Sequence, residues 1–436
     1  MNNITKRIAT FFNFEKHNAK LRTEIIAGLS TFLALSYIFV VNPSILAEGG
    51  FNKNAALFAT ILVSAIATIV MGVWAKKPFA LAPGMEMNAY VAFFVIAGMG
   101  FGWQQALGAV LWSGVIFLIL TFTSVRQKII QAIPDKMKSG IALSVGVFLI
   151  LIALRLAGGL VYEGVVLDGL GTLLSVEGLV FGLGLILLLV LKKLKVPGSV
   201  LISIIVAAVV AHLLGIGAVA EPITVSREML SAIFQIDIGV ITDPRMWSVI
   251  LILFLVDFYG SVAKFIGLTQ NTTIVDEDGI MPQMQEALTV DGAATVVGAA
   301  LGTTSLTTFV ESGVGISEGG RTGFTAVVAG IAMLAVFVAA PLINLVPVIA
   351  TTGALAWVGI SMFPKREELK KYSVIDILTV LVMIGVTIAT FAIDKALLFG
   401  FVVYIVGLLL AGRRKELNIY IVLSAVLLTI GLVLSL

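Results

Sequence analysis

Cysteine is absent from this chain of 436 residues, and histidine occurs only twice, as His17 and His212. The lack of cysteine excludes disulfides, thiolate metal sites and thiol catalysis. Neither histidine lies near Glu86, Asp257 or Glu311, the acids of the apolar segments. An intramembrane hydrolase built on these acids would therefore have neither a metal cluster nor a positioned base. Charge is also scarce, since 12% of the residues are charged and 59% are hydrophobic. This balance is typical of a polytopic membrane protein.

Apolar segments of membrane-spanning length recur from residue 25 to residue 435. In the first half, basic clusters alternate with acidic loops between these segments. The basic clusters contain Lys76, Lys77, Arg126, Lys128, Lys136, Lys138, Lys192, Lys193 and Lys195, and the acidic loops contain Glu163, Asp168, Glu221, Glu228 and Asp237. Because short basic loops stay in the cytoplasm, this pattern predicts a multi-pass plasma-membrane protein (bacterial inner membrane) with a cytoplasmic N-terminus. The amphipathic residues 1–21 are interpreted as a cytoplasmic interfacial helix.

An internal repeat relates the two halves of the chain. The pattern P-x5-G-x5-G occurs in "IPDKMKSGIALSVG", from Pro134 to Gly146, and again in "VPVIATTGALAWVG", from Pro347 to Gly359. Related halves are typical of secondary transporters. An odd number of spans in each half, seven, would make the repeat an inverted one.

Two apolar segments, 79–98 and 304–318, are interrupted by residues that disfavour a helix. The first, within "KKPFALAPGMEMNAYVAFF", contains Pro83 and Gly84, and the second, within "GTTSLTTFVESGVGISEGGRTG", has threonine, serine and glycine. Each is predicted to be a short extended piece that runs into a half-helix. Such paired interruptions indicate a substrate site at the membrane midplane. The free amides at the half-helix N-termini suit a polar ligand.

Three acids lie in or beside these apolar segments, namely Glu86, Asp257 and Glu311. Asp257 follows Arg245 by roughly 18 Å of helix, which is near the middle of a hydrocarbon core about 30 Å thick. An unpaired charge at that depth is costly, so an intramembrane acid is a functional candidate by default. An interhelical hydrogen bond or a structural ion pair is the alternative role for Asp257 and Glu311.

Four long segments match a known family: "TEIIAGLSTFLALSYIFVVNPSIL", "PFALAPGMEMNAYVAFF", "WQQALGAVLWSGVIFLILT" and "GTTSLTTFVESGVGISEGGRTGFTAVV". Over nearly its whole length the chain resembles the AzgA-like purine permeases, a branch of the nucleobase/ascorbate transporters. The resemblance implies an all-α fold of about fourteen spans in a seven-plus-seven inverted repeat, with spans 3 and 10 broken. It also implies a core domain, residues 22–125 and 245–341, which carries substrate against a gate domain, residues 126–244 and 342–436.

The resemblance also assigns roles to individual residues. Asp257 matches the family's substrate-binding acid on span 8, Glu311 the acid on span 10, and Asn88 the polar residue that opens the half-helix of span 3. Both Asp257 and Glu311 are candidates for proton coupling. The other members of the predicted substrate site are Glu86, Thr308 and Ser312. No metal ligand or cofactor is predicted.

Two positions depart from the family pattern. The usual D-x-x-D-T of span 8 reads "DFYGS" here, with Gly260 in place of the second acid, and "PGMGLNAY" reads "PGMEMNAY", with Glu86 in place of glycine. One acid is lost and another gained close to the same cavity, so Glu86 is a candidate to compensate for Gly260. Lys264 shares a helix face with Asp257 and is expected to reach toward the cytoplasm.

The sequence therefore predicts a secondary transporter and not an enzyme. The resemblance implies that it imports a purine nucleobase (adenine, guanine or hypoxanthine) by proton symport, as an elevator-type homodimer in the lipid bilayer, with no nucleic-acid partner. A carboxylate can accept two adjacent N–H donors of a base edge. A permease for another N-heterocycle such as xanthine or uracil, or an anion transporter or exchanger of the same fold, is the alternative, and sodium stays open as the coupling ion.

Overall fold

The computed structural model describes residues 3–123, 135–163, 166–194, 196, 198–216, 227–269, 272–276, 281–343, 345–364, 370, 372–391, 393–417, 421–422, 425–426 and 428–430. The helices are α1 Asn3–Phe11, α2 Leu21–Leu35, α3 Ile38–Glu48, α4 Lys53–Val73, α5 Met85–Ala89, α6 Trp103–Thr121, α7 Asp135–Leu156, α8 Val176–Lys193, α9 Ser199–Leu213, α10 Arg245–Thr269, α11 Met284–Leu301, α12 Ser312–Ser317, α13 Gly323–Leu334, α14 Val336–Ile343, α15 Thr352–Ser361, α16 Val374–Thr390 and α17 Ile393–Leu410. The strands are β1 Leu81–Pro83, β2 Leu160–Glu163, β3 Val166–Leu170 and β4 Leu306–Thr308.

Long apolar helices dominate the fold. Within the ranges given above, four helical stretches are long and apolar enough to cross a membrane: Leu21–Glu48, Lys53–Val73, Trp103–Thr121 and Arg245–Thr269. The first of these contains both α2 and α3. Several shorter apolar helices accompany them. The boundary predicted between residues 125 and 126, and most of the apolar segment 417–435, lie outside the described residues.

The long helices pack in two groups. In the first, α13 packs against α2 and α4, while α6 packs against α10 and α11. In the second, α15 packs against α7 and α8, α16 packs against α7 and α17, and α9 packs against α8. The first group is drawn from the ranges assigned above to the core domain, and the second from the ranges assigned to the gate domain.

Gly146 and Gly359 hold equivalent positions in the internal repeat and lie against each other where α7 crosses α15. A Cβ atom on Gly146 would lie 2.6 Å from the carbonyl oxygen of Gly359, and a Cβ atom on Gly359 would lie 2.4 Å from that of Gly146. Neither position has space for a side chain. A reciprocal contact of this kind is what a two-fold axis between related halves produces.

The strands β1 and β4 form an antiparallel pair in the interior. Leu81 lies opposite Thr308, and Pro83 lies opposite Leu306. All residues of both strands are buried. Backbone that is not helical at membrane depth must find its hydrogen-bond partners inside the protein. The two strands, one from each half of the chain, provide backbone hydrogen-bond partners for each other.

Candidate functional site

The first strand–helix piece, residues 81–96, carries Glu86 and Asn88. The helix α5 follows β1 directly, with Gly84 at its N-cap and no side-chain cap hydrogen bond. Asn88 is buried, and its Oδ1 accepts a hydrogen bond from the hydroxyl of Thr304. Within the described residues its Nδ2 has no partner. A buried donor without a partner costs free energy, so this amide is suited to a ligand.

The second strand–helix piece, residues 306–317, carries Thr308, Glu311 and Ser312. The helix α12 begins at Ser312, and the carboxylate of Glu311 just before it accepts a hydrogen bond of 2.9 Å from the Tyr37 hydroxyl. The Ser312 hydroxyl accepts a hydrogen bond of 3.0 Å from the backbone N–H of Ala80, which ties α12 to β1. The Thr308 hydroxyl is buried and lacks a partner in the described part of the chain.

The helix α10 brings Asp257 to the strand pair. Its Oδ2 accepts a hydrogen bond of 2.9 Å from the hydroxyl of Thr295 on α11. The same hydroxyl lies 3.0 Å from the carbonyl oxygen of Leu306 in β4. Among the described residues, the buried Oδ1 of Asp257 has no hydrogen-bond partner. This oxygen is therefore an acceptor available to a ligand.

Asp291 on α11 is a functional candidate that the sequence analysis missed. Its side chain is fully buried and close enough to Asp257 to interact with it electrostatically. It faces Ser261 and the backbone of Thr308, yet neither carboxylate oxygen has a hydrogen bond of normal geometry to a described residue. The signal is present in the sequence, since "ALTVDGAATVVGAA" places an acid in an apolar run.

Lys264 points into the site, so the expectation that it reaches toward the cytoplasm is wrong. Its Nζ lies 3.6 Å from Oε1 of Glu86 and 3.1 Å from the hydroxyl of Thr307. The Thr307 hydroxyl lies 3.0 Å from that of Ser261. A Cβ atom on Gly260 would lie 4.0 Å from Nζ, which is an ordinary contact distance, so residue 260 does not crowd the ammonium. A carboxylate and a hydroxyl inside the protein thus replace the water that the side chain would otherwise reach.

A small cavity lies between the first strand–helix piece and the second helix group. It is lined by Glu86, Met87, Tyr90, Val145, Ile252, Leu253 and Val256. Its volume is about 10 Å³, which is space for about one water molecule. Val145 belongs to α7, Ile252, Leu253 and Val256 belong to α10, and the other lining residues belong to the first strand–helix piece. A nucleobase-sized ligand does not fit in a cavity of this volume.

Comparison with known protein families decides the class of this chain. Residues 22–395 match the Permease family. The chain belongs to this family. The matched range of the permease contains both strand–helix pieces, Asp257 and Lys264. Two predictions are confirmed, namely a transporter rather than an enzyme, and a multi-pass membrane protein.

Two relatives match nearly the whole permease. The adenine permease AdeP of Escherichia coli is 33% identical over 422 residues, which cover 97% of this chain and 95% of the relative. The guanine/hypoxanthine permease PbuG of Bacillus subtilis is 33% identical over 423 residues, which cover 94% of this chain and 96% of the relative. These matches confirm the resemblance to the purine permease branch.

A solved structure shows the fold of the permease. The transmembrane domain of a cyanobacterial bicarbonate transporter, BicA, superposes with a TM-score of 0.63 at 17% identity. The likeness covers 85% of the permease and 96% of that domain. At this identity it shows the fold alone. The permease therefore has a helical, polytopic membrane transporter fold.

Glu24 is a further residue that the sequence analysis did not single out. Its buried carboxylate accepts hydrogen bonds of 2.9 to 3.3 Å from the backbone N–H groups of Arg321, Thr322 and Thr325. The hydroxyls of Thr322 and Thr325 also donate to it. A carboxylate at the N-terminus of α13 is stabilised by the helix dipole. Glu24 thus fixes the chain that follows the second strand–helix piece.

Proposed function

We propose that this permease imports a purine nucleobase (adenine, guanine or hypoxanthine) by proton symport. The observation that supports this best is the convergence of buried hydrogen-bonding groups on the strand pair. Asp257 and Thr308 present atoms that have no partner among the described residues, Asn88 presents an amide donor, and Glu311 lies at the start of α12. The names of the relatives, an adenine permease and a guanine/hypoxanthine permease, supply the substrate class.

The chemistry of a purine fits these groups. A purine edge presents N–H donors beside carbonyl or ring-nitrogen acceptors, and a carboxylate can accept two such donors at once. In the proposed binding mode, Asp257 and Glu311 accept from the base, whereas Asn88 donates to it. A buried acid can also take up a proton outside and release it inside, so we assign proton coupling to Asp257 and Glu311.

The proposed transport step is an elevator-type movement of the core domain against the gate domain. About fourteen spans in a seven-plus-seven inverted repeat, with spans 3 and 10 broken, would place the site on the moving domain. The two helix groups and the reciprocal contact of Gly146 and Gly359 support this arrangement. The cavity beside Glu86 is too small for a base, which is why separation of the two groups is part of the proposal. A homodimer and a cytoplasmic N-terminus complete it.

Uptake measurements in cells that lack their own nucleobase permeases test this function. Radiolabelled adenine, guanine, hypoxanthine, xanthine and uracil would be compared, with and without a protonophore and with sodium replaced. We expect accumulation of at least one purine, and loss of accumulation but not of equilibration with the protonophore. Uptake of none of the purines would refute the substrate class. Accumulation that survives the protonophore and needs sodium would refute proton coupling.

An anion transporter is the second candidate, and one observation favours it. The ammonium of Lys264 lies in the site, where a cation could bind an anion. Four carboxylates, those of Glu86, Asp257, Asp291 and Glu311, outnumber it. Like charges repel an anion even when one cation is near. Inhibition of nucleobase uptake by bicarbonate or sulfate at low concentration would support this candidate instead.

A further inference from the structure

Lys264 and Glu86 form an ion pair that is not closed. An ammonium group has three N–H donors and no acceptor, whereas a carboxylate only accepts. The Thr307 hydroxyl takes one donor of Lys264 at 3.1 Å. The distance of 3.6 Å between Nζ of Lys264 and Oε1 of Glu86 is too long for a hydrogen bond. A donor and an acceptor with spare capacity therefore stand side by side.

Both side chains are partly exposed, and one of them lines the cavity. The side chain of Lys264 is 19% exposed and that of Glu86 is 13% exposed, and Glu86 lines the cavity directly. Gly260 contributes no side chain that would cover Nζ. A pair that served only to hold α5 against α10 would be expected to close to hydrogen-bond length, because charge-assisted hydrogen bonds are short. The open pair is thus suited to receive a ligand edge.

We propose, on the basis of the function proposed above, that Lys264 and Glu86 bind one edge of the base and select an oxopurine. Lys264 donates to the exocyclic carbonyl oxygen, and Glu86 accepts from the neighbouring ring N–H. Guanine presents an oxygen acceptor at the position where adenine presents an amino donor, and hypoxanthine has the same oxygen. The substrate class is therefore hypoxanthine and guanine rather than adenine.

The donor-only character of lysine is the reason for this selectivity. An amino group in the place of the carbonyl oxygen would set a donor against the ammonium, and both would lose a partner. Adenine can satisfy the pair only by turning over, so that its ring nitrogen faces Lys264 and its imidazole half leaves the position that it has in an oxopurine. Leaving a buried group of this kind unsatisfied corresponds to a preference of about tenfold to hundredfold for an oxopurine over adenine.

The test compares bases that differ at the exocyclic group and at the neighbouring ring nitrogen, which carries a hydrogen in hypoxanthine but not in adenine or purine. Competition for uptake would be measured with hypoxanthine, adenine and unsubstituted purine in the wild type, Lys264→Met and Lys264→Arg. We expect the wild type to prefer hypoxanthine over purine and over adenine by about tenfold or more. Lys264→Met should lose most of this preference, because it weakens hypoxanthine binding and leaves purine binding less affected. Lys264→Arg should retain the preference, because arginine is also only a donor.

A purely structural role of Lys264 would lower binding of hypoxanthine and purine equally in Lys264→Met, and this result would overturn the inference. A wild-type preference for adenine would also overturn it, while leaving purine import intact. Failure of the wild type to take up any purine would instead refute the proposed function. If Lys264→Met alone does not reach the membrane, the double variant Glu86→Gln with Lys264→Met removes both charges. The same loss of preference is expected there, and an unchanged preference contradicts the inference.

Discussion

The two strand–helix pieces share a backbone plan but hold their acids differently. In the first piece, Glu86 lies within the first turn of α5 and meets Lys264 of α10. In the second, Glu311 precedes α12 and accepts from Tyr37, which lies between α2 and α3. The helix α5 is followed directly by a π-helix, Tyr90–Ile96, whereas α12 has six residues and no such extension. One piece thus offers a charge pair, and the other offers a single acid bonded to a neutral hydroxyl.

The antiparallel strand pair explains how two different pieces serve one site. Because β1 and β4 run in opposite directions, the chain leaves them at opposite ends of the ladder. The backbone N–H of Gly84 bonds to the carbonyl oxygen of Ser305 at one end, and that of Phe309 bonds to Ala80 at the other. The two short helices therefore start at the ladder and extend away from each other. The backbone sets the geometry of the site, and the side chains set its chemistry.

The largest expected effect comes from neutralising Asp257 and Glu311, which have no cation as a direct partner among the described residues. Glu311→Gln and Asp257→Asn should each abolish or strongly impair uptake while leaving membrane insertion intact. Loss of a hydrogen bond to a charged group costs about 1.5 to 3 kcal/mol, which is roughly 10- to 150-fold in binding. Initial uptake rates would be divided by the amount of permease in the membrane.

Two further variants sharpen this first prediction. Tyr37→Phe removes the hydroxyl that bonds to Glu311 and keeps the carboxylate, so it should reduce uptake less than Glu311→Gln. Glu416→Gln makes the same substitution in an exposed ion pair with Arg413, where little free energy is at stake, and should leave uptake near the wild-type rate. Near-normal uptake by both Glu311→Gln and Asp257→Asn would defeat the assignment of the site.

A smaller effect is expected from filling the contact between the second piece and α2. A Cβ atom on Gly315 would lie 2.2 Å from the Thr31 hydroxyl and 2.5 Å from the carbonyl oxygen of Ala27. Gly315→Ala should therefore destabilise the permease by about 1 to 3 kcal/mol. On the same helix, a Cβ atom on Gly313 would meet only the tip of Leu268, at 3.2 Å, so Gly313→Ala is the matched control.

Thermal unfolding of the purified permease in detergent measures this difference. We expect a lower midpoint for Gly315→Ala than for Gly313→Ala, with uptake reduced in the same order. Equal midpoints would mean that α12 moves away from α2 at little cost. In that case the second piece would be more loosely held than its contacts indicate.

Composition and the length of the apolar segments predicted the class of the fold, because long apolar segments have few alternatives to membrane helices. The interrupted segments were also identified from sequence, since Pro83, Gly84 and the threonine run disfavour a helix. The position of Lys264 was not, because a sequence does not show whether an ammonium finds water or a carboxylate first. Asp291 could have been identified by the rule applied to Asp257, namely that an acid in an apolar segment is a functional candidate. Glu24 could not be identified in this way, since its partners lie just before α13 and in its first turn, nearly three hundred positions along the chain.

The smallest expected effect concerns Glu86 and Gly260, the two departures from the family pattern. Lys264 lies between them, with Nζ 3.6 Å from Glu86 and 4.0 Å from where a Cβ atom of residue 260 would stand. A carboxylate at either position can thus pair with the ammonium.

Glu86→Gly should leave Lys264 without a carboxylate partner and weaken binding several-fold, and adding Gly260→Asp should partly restore uptake. The alternative role of Glu86 is that of an acid in the first turn of α5, where it caps the half-helix and is favoured by the helix dipole. A competition assay with adenine, guanine, hypoxanthine and uracil, run on the wild type, both single variants and the double variant, distinguishes these roles. Identical inhibition profiles in all four proteins would show that Glu86, the charge that distinguishes the first strand–helix piece from the second, does not affect substrate preference.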